Sequence, residues 1–205
     1  MLVATTLLVH LSLAVTPATP TPTPTPPPGL SWRQAESLRV KVYELERHRR
    51  LARGPKPPTH PPMVVTEDEL NSYINLILQP KLPPGLSDVK FALRKGDIDL
   101  TARLDLDRVK AVIGTSTWSP LALLSGQVPV EIKGRLKSNE RFGTFELDDI
   151  RLGPMMIPPA LLHQLVASST RTKRQPKGFD ILAPFRLPYG LRRVRVQTGH
   201  ARLEW

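Results

Sequence analysis

In two stretches, Val89 to Leu106 and Val128 to Leu147, apolar side chains recur at every second position, and that period allows little besides β-strands with one buried face. Val89, Phe91 and Leu93 alternate with polar residues, Lys95-Gly96-Asp97 makes a turn, and Ile98, Leu100, Ala102, Leu104 and Leu106 alternate again. This pattern predicts a hairpin. Val128, Val130, Ile132 and Leu136 predict a third strand, Ser138 to Gly143 a turn, and Phe145 with Leu147 the start of a fourth. The phase slips at Asp148-Asp149, after which Ile150 and Leu152 take the inward positions, as one extra residue in a β-bulge would cause.

A helix stands ahead of these strands. Thr66 is a good N-cap, Glu69 completes a capping box, and Val65 with Leu70 has the spacing of a hydrophobic staple. Leu70, Tyr73, Ile74 and Ile77 share a face as far as about Leu78, and Pro80, Pro83 and Pro84 end the run. Asn71 between them reads as a structural hydrogen-bonder. A repeat adds to the pattern: Leu82-Pro83-Pro84-Gly85-Leu86 is echoed by Leu187-Pro188-Tyr189-Gly190-Leu191, each followed by alternation, a glycine turn and a second strand. In the second copy the alternating residues are Val194, Val196, Ala201 and Leu203. The repeat predicts one sheet built from similar units. The expected fold class is α+β, a curved, mainly antiparallel sheet packed on short helices and preceded by a basic helix and a Pro-rich tether.

The expected organisation is a signal peptide over 1–18, a Thr/Pro-rich linker over 19–30, a basic amphipathic helix over 31–54, a second Pro-rich linker over 55–62 and one domain over 63–205. Leu2 to Val15 has the length of a signal-peptide apolar region, Ser12-Leu13-Ala14 offers a cleavage site, and no Lys or Arg precedes the run. The Thr-Pro tract can only be extended, because proline fixes φ and removes the amide donor. On the basic helix Ala35, Leu38, Val42, Leu45 and Ala52 recur at heptad spacing, with Arg49 in the same stripe. Three uses of that seam are open: docking on the domain, pairing with another copy, or lying on an anionic membrane.

Net charge is +11 and divides unevenly: eight basic against three acidic residues over 31–61, twelve against thirteen over 62–170, and nine against two over 171–205. The excess attracts anionic surfaces. Cysteine is absent, which removes disulfides, thiol catalysis and cysteine-ligated metals. Between Gly114 and Gly126 an uncharged segment carries Trp118, Leu121, Leu123 and Leu124, either a cap over one end of the core or a lid that touches membrane. Met155 and Met156 lead through Pro158 and Pro159 into a short helix with Leu161, Leu162, Leu165 and Val166.

A catalytic or metal site needs groups placed to move protons, attack a substrate or hold an ion, and the sequence offers few. It has no nucleophile elbow, zinc-protease motif, P-loop or dinucleotide fingerprint. No histidine has a second ligand at metal spacing. Asp97, Asp99, Asp105 and Asp107 fall on the strand face opposite Ile98 and Leu100, so their expected neighbour is solvent. Asp148-Asp149 is the remaining acid pair, the basis of a hydrolase reading. Nucleic-acid binding would want aromatic platforms interleaved with charge, whereas Arg192, Arg193, Arg195 and Arg202 have only Tyr189 and Trp205 at the ends of their hairpin.

The Val65-Thr66-Glu67-Asp68-Glu69-Leu70-Asn71-Ser72-Tyr73-Ile74 start, the alternating strands, the Ile150-Arg151-Leu152-Gly153 turn into Ile157-Pro158-Pro159-Ala160-Leu161-Leu162, and the closing Leu-Pro hairpin resemble the YpmS-like and LmeA-like exported bacterial proteins, over about Val65 to Trp205. That resemblance implies a periplasmic or membrane-associated protein, linked to lipid binding by a long curved sheet wrapped on a helix in the manner of tubular lipid-binding domains. It supplies no catalytic residues, and the Thr-Pro tract and basic helix lie outside it.

The expectation drawn from residues and resemblance is a non-enzymatic cell-envelope protein, without cofactor or metal, whose partners are a phospholipid or other amphiphile and an anionic membrane surface, not nucleic acid. Phe91, Leu93, Leu100, Val130, Ile132 and Phe145 are expected to line an apolar groove, Trp118 and Leu121 to gate it, and Arg192, Arg193 and Arg195 to attract the headgroup. The alternative is an envelope scaffold that binds a protein or an anionic cell-wall polymer through the basic helix and the C-terminal hairpin.

Overall fold

A computed structural model describes residues 25–51, 61–113, 125–160 and 183–205, together with 163, 167, 176–178 and 180. The expected signal peptide, residues 19–24 of the Thr/Pro-rich linker, residues 52–54 at the end of the basic helix, residues 55–60 of the second linker, the lid carrying Trp118 and Leu121, and most of the short helix after Pro159 lie outside the described residues. Helix α1 (Trp32–Leu51) comes first, followed by β1 (Met63–Thr66), α2 (Glu67–Tyr73) with a π-helical turn (Ile74–Leu78) and a 3-10 turn (Gln79–Lys81), β2 (Leu86–Leu93), β3 (Asp97–Asp105) and α3 (Leu106–Ile113). The long strands β4 (Gln127–Asn139) and β5 (Phe142–Leu152) follow, then β6 (Met155–Met156), β7 (Phe185–Arg186), β8 (Arg193–Gln197) and β9 (His200–Glu204).

The fold is α+β, with two open sheets in which every pairing is antiparallel. A six-stranded sheet has the order β2-β3-β4-β5-β6, with β7 also on β5, and a three-stranded sheet has the order β1-β9-β8. The two copies of the Leu-Pro repeat therefore end up in different sheets, β2–β3 in one and β8–β9 in the other, and not in the single sheet expected. They do share a turn: Leu86 N–H donates to Pro83 O and Leu191 N–H to Pro188 O, each at 3.1 Å. Strand β1 was not expected from sequence, since four residues are too few for alternation to show. Its main chain completes the small sheet by pairing with β9.

Two local sequence readings meet their structural causes. The phase slip is a bulge: Lys133 pairs with Asp149 but Gly134 pairs with Leu147, which leaves Asp148 as the extra residue. Gly134 is required there, because a Cβ would run into the Glu146 carbonyl oxygen and the Phe145 ring. The expectation that Leu106 ends a strand is overturned. Asp105 Oδ1 accepts from the Asp107 and Arg108 amides, both at 3.1 Å, and so starts α3 at Leu106. Asp107 in turn accepts from the Gly126 amide at 3.0 Å. Of the acidic series Asp97, Asp99 and Asp105 lie on β3 as expected and only Asp107 leaves the strand; Asp97 and Asp99 are each near an arginine, Arg135 and Arg94 respectively.

Of the uses open to the basic helix, the structure shows docking. Ala35, Leu38 and Leu45 are buried, and with Met63, Val65, Leu187, Leu191 and Leu203 the two leucines form the main hydrophobic cluster. His48, rather than Arg49, continues the buried stripe, and its ring lies 5.0 Å from that of Trp205, centroid to centroid. Polar contacts fix the docking angle. Lys41 Nζ reaches both Glu69 carboxylate oxygens at 2.6 and 2.7 Å and Val64 O at 2.7 Å, while the Ser31 amide donates to Ser72 Oγ at 3.1 Å. Glu69 is also the capping-box residue of α2, accepting from the Thr66 amide at 2.9 Å as Thr66 Oγ1 accepts from its own.

Candidate functional site

A side of β2 is open to the edge of the six-stranded sheet, and α2 covers it with side chains where a further strand would have used its main chain. The Leu93 amide donates to Glu67 Oε2 at 2.8 Å. Asn71 accepts from the Phe91 amide at 2.7 Å and donates to Phe91 O at 2.9 Å; Asn75 does the same for Val89, at 3.1 and 2.6 Å. Residues four apart on a helix rise about 6 Å and residues two apart on a strand about 6.7 Å, so Glu67, Asn71 and Asn75 meet Leu93, Phe91 and Val89 in step. This ladder seals the edge and sets the attitude of the strand that carries Phe91.

The registers then place the expected groove residues in rows on one face. Phe91 lies opposite Leu100, Leu100 opposite Ile132 and Ile132 opposite Ile150; the next row is Leu93, Ile98, Gly134 and Leu147, followed by Leu136 opposite Phe145. In the other direction come Ala102, Val130 and Leu152. Phe91, Leu93, Leu100, Val130, Ile132 and Phe145 thus share a face. Their surroundings differ. Leu93 is buried, and Val130 packs on a second cluster formed by Leu106 and Leu152 with Leu104, Val128 and Ile157. Phe91, Ile98, Leu100, Ile132, Leu136, Phe145 and Leu147 are only partly buried and belong to neither cluster.

The result is an apolar lane between two packed ends. At one end stand Leu106 and Leu152, and at the other the main cluster with Phe185 and Leu187, which crowd Gly143 on β5. Beyond Leu136, Ser138 Oγ accepts from the Val194 amide at 2.8 Å and donates to Val194 O at 2.7 Å, tying β4 to β8.

The expected headgroup arginines do not join this lane. Arg193 and Arg195 alternate with Val194 and Val196, so they occupy the other face of the small sheet, cross-strand from Glu204 and Arg202. Arg195 lies 3.3 Å from Glu204, Arg193 donates to Asn139 Oδ1 at 3.2 Å, and Arg192 is exposed in the turn before them. The alternation alone carries this separation, and it was legible once the hairpin register was known.

The acid pair sits in a cleft of about 270 Å³ lined by Leu147, Ile150 and Met156 to Pro159. Asp148 is bonded by Arg135 at 2.9 Å, which holds its carboxyl below the usual range, and Asp149 is bonded by Arg151 at 3.0 Å. Each carboxylate thus has its own arginine. Among the described residues no group of three His, Asp or Glu side chains is placed to hold a metal ion. Compared with protein-family models, with curated proteins and with solved structures, the chain finds no match in any of the three.

Proposed function

We propose that the protein binds a phospholipid or similar amphiphile along the apolar lane of the six-stranded sheet, without catalysis, in the cell envelope to which its apolar leader directs it. One observation carries this reading: the row Phe91, Leu100 and Ile132, with Leu136 and Phe145 beyond it, is apolar and only partly buried, while both of its ends are closed by packed clusters. Apolar side chains left partly accessible in the middle of a sheet forgo burial of about 25 cal/mol per Å², and an acyl chain would recover it. The resemblance read from the sequence, to the YpmS-like and LmeA-like exported proteins, carries the same implication of lipid binding. The scaffold alternative loses its apolar seam, since Leu38 and Leu45 are already used inside the domain, and retains the charged outer side of α1 and the arginines of the C-terminal hairpin.

The test is native mass spectrometry of the full chain purified from an exporting host without detergent, followed by solvent extraction. The expected result is one amphiphile per protein, absent from Ile132→Gln and Leu100→Gln proteins that still melt cooperatively. An empty wild-type protein, or variants that retain the amphiphile, would overturn the proposal.

A further inference from the structure

The turn between β4 and β5 combines three features found together nowhere else among the described residues: strain, unpaired positive charge and an exposed aromatic ring. Asn139 pairs with Phe142, so the turn has two central residues, Glu140 at φ 46° and Arg141 at φ 74°. Both positions of such a turn favour Asn or Gly, yet here they are held by long charged side chains. The Arg141 main chain is clamped on both sides, its amide donating to Arg192 O at 2.9 Å and its carbonyl accepting from the Leu187 amide at 2.7 Å. The turn is therefore a fixed platform.

On that platform Phe142 is 56% exposed, and its cross-strand neighbours on the same face are Asn139 and Arg186. Asn139 holds Arg193, while Arg141 and Arg192 stand exposed beside it. Elsewhere in the sheets, Arg94, Arg103, Arg135, Arg151, Arg195 and Arg202 each have a carboxylate partner. Arg141, Arg186, Arg192 and Arg193 have none among the described residues, and Glu140 is the one acid in the turn itself.

We infer that this turn is a docking surface for an anionic lipid bilayer, with Phe142 entering the interface and Arg141, Arg186, Arg192 and Arg193 engaging phosphates around it. An exposed apolar ring on a fixed turn, bordered by cations, matches a surface that is apolar within and anionic at its rim. A single-stranded nucleic acid would instead want successive aromatic platforms along a groove. The other exposed apolar side chains are set differently. Met156 adjoins the cleft of Asp148 and Asp149, Val64 alternates with the buried Met63 and Val65 on β1, and Val40 and Tyr43 on α1 stand among Glu36, Glu44 and Glu46 as well as Arg39 and Arg47, on a regular helix without a strained turn. The inference rests on the amphiphile reading for its purpose, since docking brings the sheet to a source of lipid, but not for its chemistry.

The test is co-sedimentation of the full chain with vesicles of pure phosphatidylcholine and of phosphatidylcholine containing three-tenths phosphatidylglycerol. Binding is expected to the anionic vesicles alone and to fall steeply as salt is raised to about 0.5 M, where the screening length drops below about 5 Å. Each basic residue near such a surface contributes roughly a fivefold gain, so Arg186→Glu with Arg192→Glu should weaken binding at least twentyfold, and Phe142→Ser should weaken it while leaving the melting curve in place. Equal binding to both vesicles, or wild-type binding by the double variant, would overturn the inference. So would a Phe142→Ser protein that binds vesicles like the wild type, with heparin and duplex DNA competing equally for both, which would make the turn a polyanion site. Amphiphile occupancy by mass spectrometry is read separately: loss of docking with occupancy intact tests the turn, and loss of occupancy with docking intact tests the lane.

Discussion

The side-chain amide of Asn71 makes both main-chain hydrogen bonds that Phe91 turns toward the open edge of the six-stranded sheet. An amide has the donor and acceptor of a peptide group at nearly the same spacing, so Asn71 stands in for a residue of a neighbouring strand. Asn75 repeats the substitution at Val89, and Glu67 completes it at the Leu93 amide. The helix thus ends the sheet without offering a new edge to another chain.

Replacing Asn71 by Ala would leave the Phe91 amide and carbonyl without partners at a site where Asn71 itself is 7% exposed. Unsatisfied buried groups cost about 1–3 kcal/mol each, so we expect a loss of about 2–4 kcal/mol, read by urea unfolding. Amide exchange at Phe91 and Val89 should accelerate more than exchange in β4. A loss below about 0.5 kcal/mol would mean that water replaces the side chain and that the edge is not sealed.

Glu69 makes stability depend on pH. Burial pulls its carboxyl upward, but the Lys41 ammonium, the Ser37 hydroxyl and the Thr66 amide outweigh this and hold it below its ordinary value. Because the folded value lies below the unfolded one, ionised Glu69 adds stability above about pH 4.3, and that contribution is lost as pH falls through the folded value. Glu69→Gln should therefore cost about 2 kcal/mol at pH 7 and progressively less as pH falls through the folded value. Melting temperatures between pH 3 and 7 check this. A constant gap would show that Glu69 acts through shape alone.

What the sequence disclosed follows from range. The Thr66–Glu69 box, the period of two from Val89 onward and the slip at Asp148 are set by residues within a few positions of one another, and each appears in the structure where the spacing puts it. The start of α3 was missed although its cause, Asp105 reaching the next two amides but one, is local: the alternation simply ran on through Leu106. The separation into two sheets, the β1–β9 pairing and the burial of Glu69 under Lys41 depend on contacts between distant parts of the chain, which periodicity does not encode. For the lane, strand parity fixed which residues share a face. It could not show that Leu93 and Val130 are packed while Phe91, Leu100, Ile132 and Phe145 remain partly open, nor that the hairpin of Arg193 and Arg195 belongs to a separate sheet.

Gly134 offers a test of the bulge. A Cβ there would overlap the Glu146 carbonyl oxygen and press on the Phe145 ring, and neither main chain can yield without breaking the register around Asp148. Gly134→Ala should cost about 1–3 kcal/mol, as overpacking typically does. Deleting Asp148 in the same protein should recover part of the loss by restoring regular pairing, and unfolding by urea measures both. If Gly134→Ala is neutral, β4 and β5 are free to separate at this point.

Leu100 and Leu106 lie six residues apart, and the difference between them decides whether the lane is open. Leu106 is 1% exposed at the centre of the second cluster, so Leu106→Ala should cost about 2–5 kcal/mol whether or not a ligand is present. Leu100 is only partly buried and belongs to neither cluster, so in protein stripped of amphiphile Leu100→Ala should cost about 1 kcal/mol. With amphiphile bound the same substitution should cost more, because a ligand held a hundredfold above its Kd adds about 2.7 kcal/mol to the wild type and less to a variant that binds it weakly. Urea unfolding of both variants, stripped and loaded, gives the four numbers. A Leu100→Ala cost that is large in the stripped protein and unchanged by loading would place Leu100 in the core and close the lane.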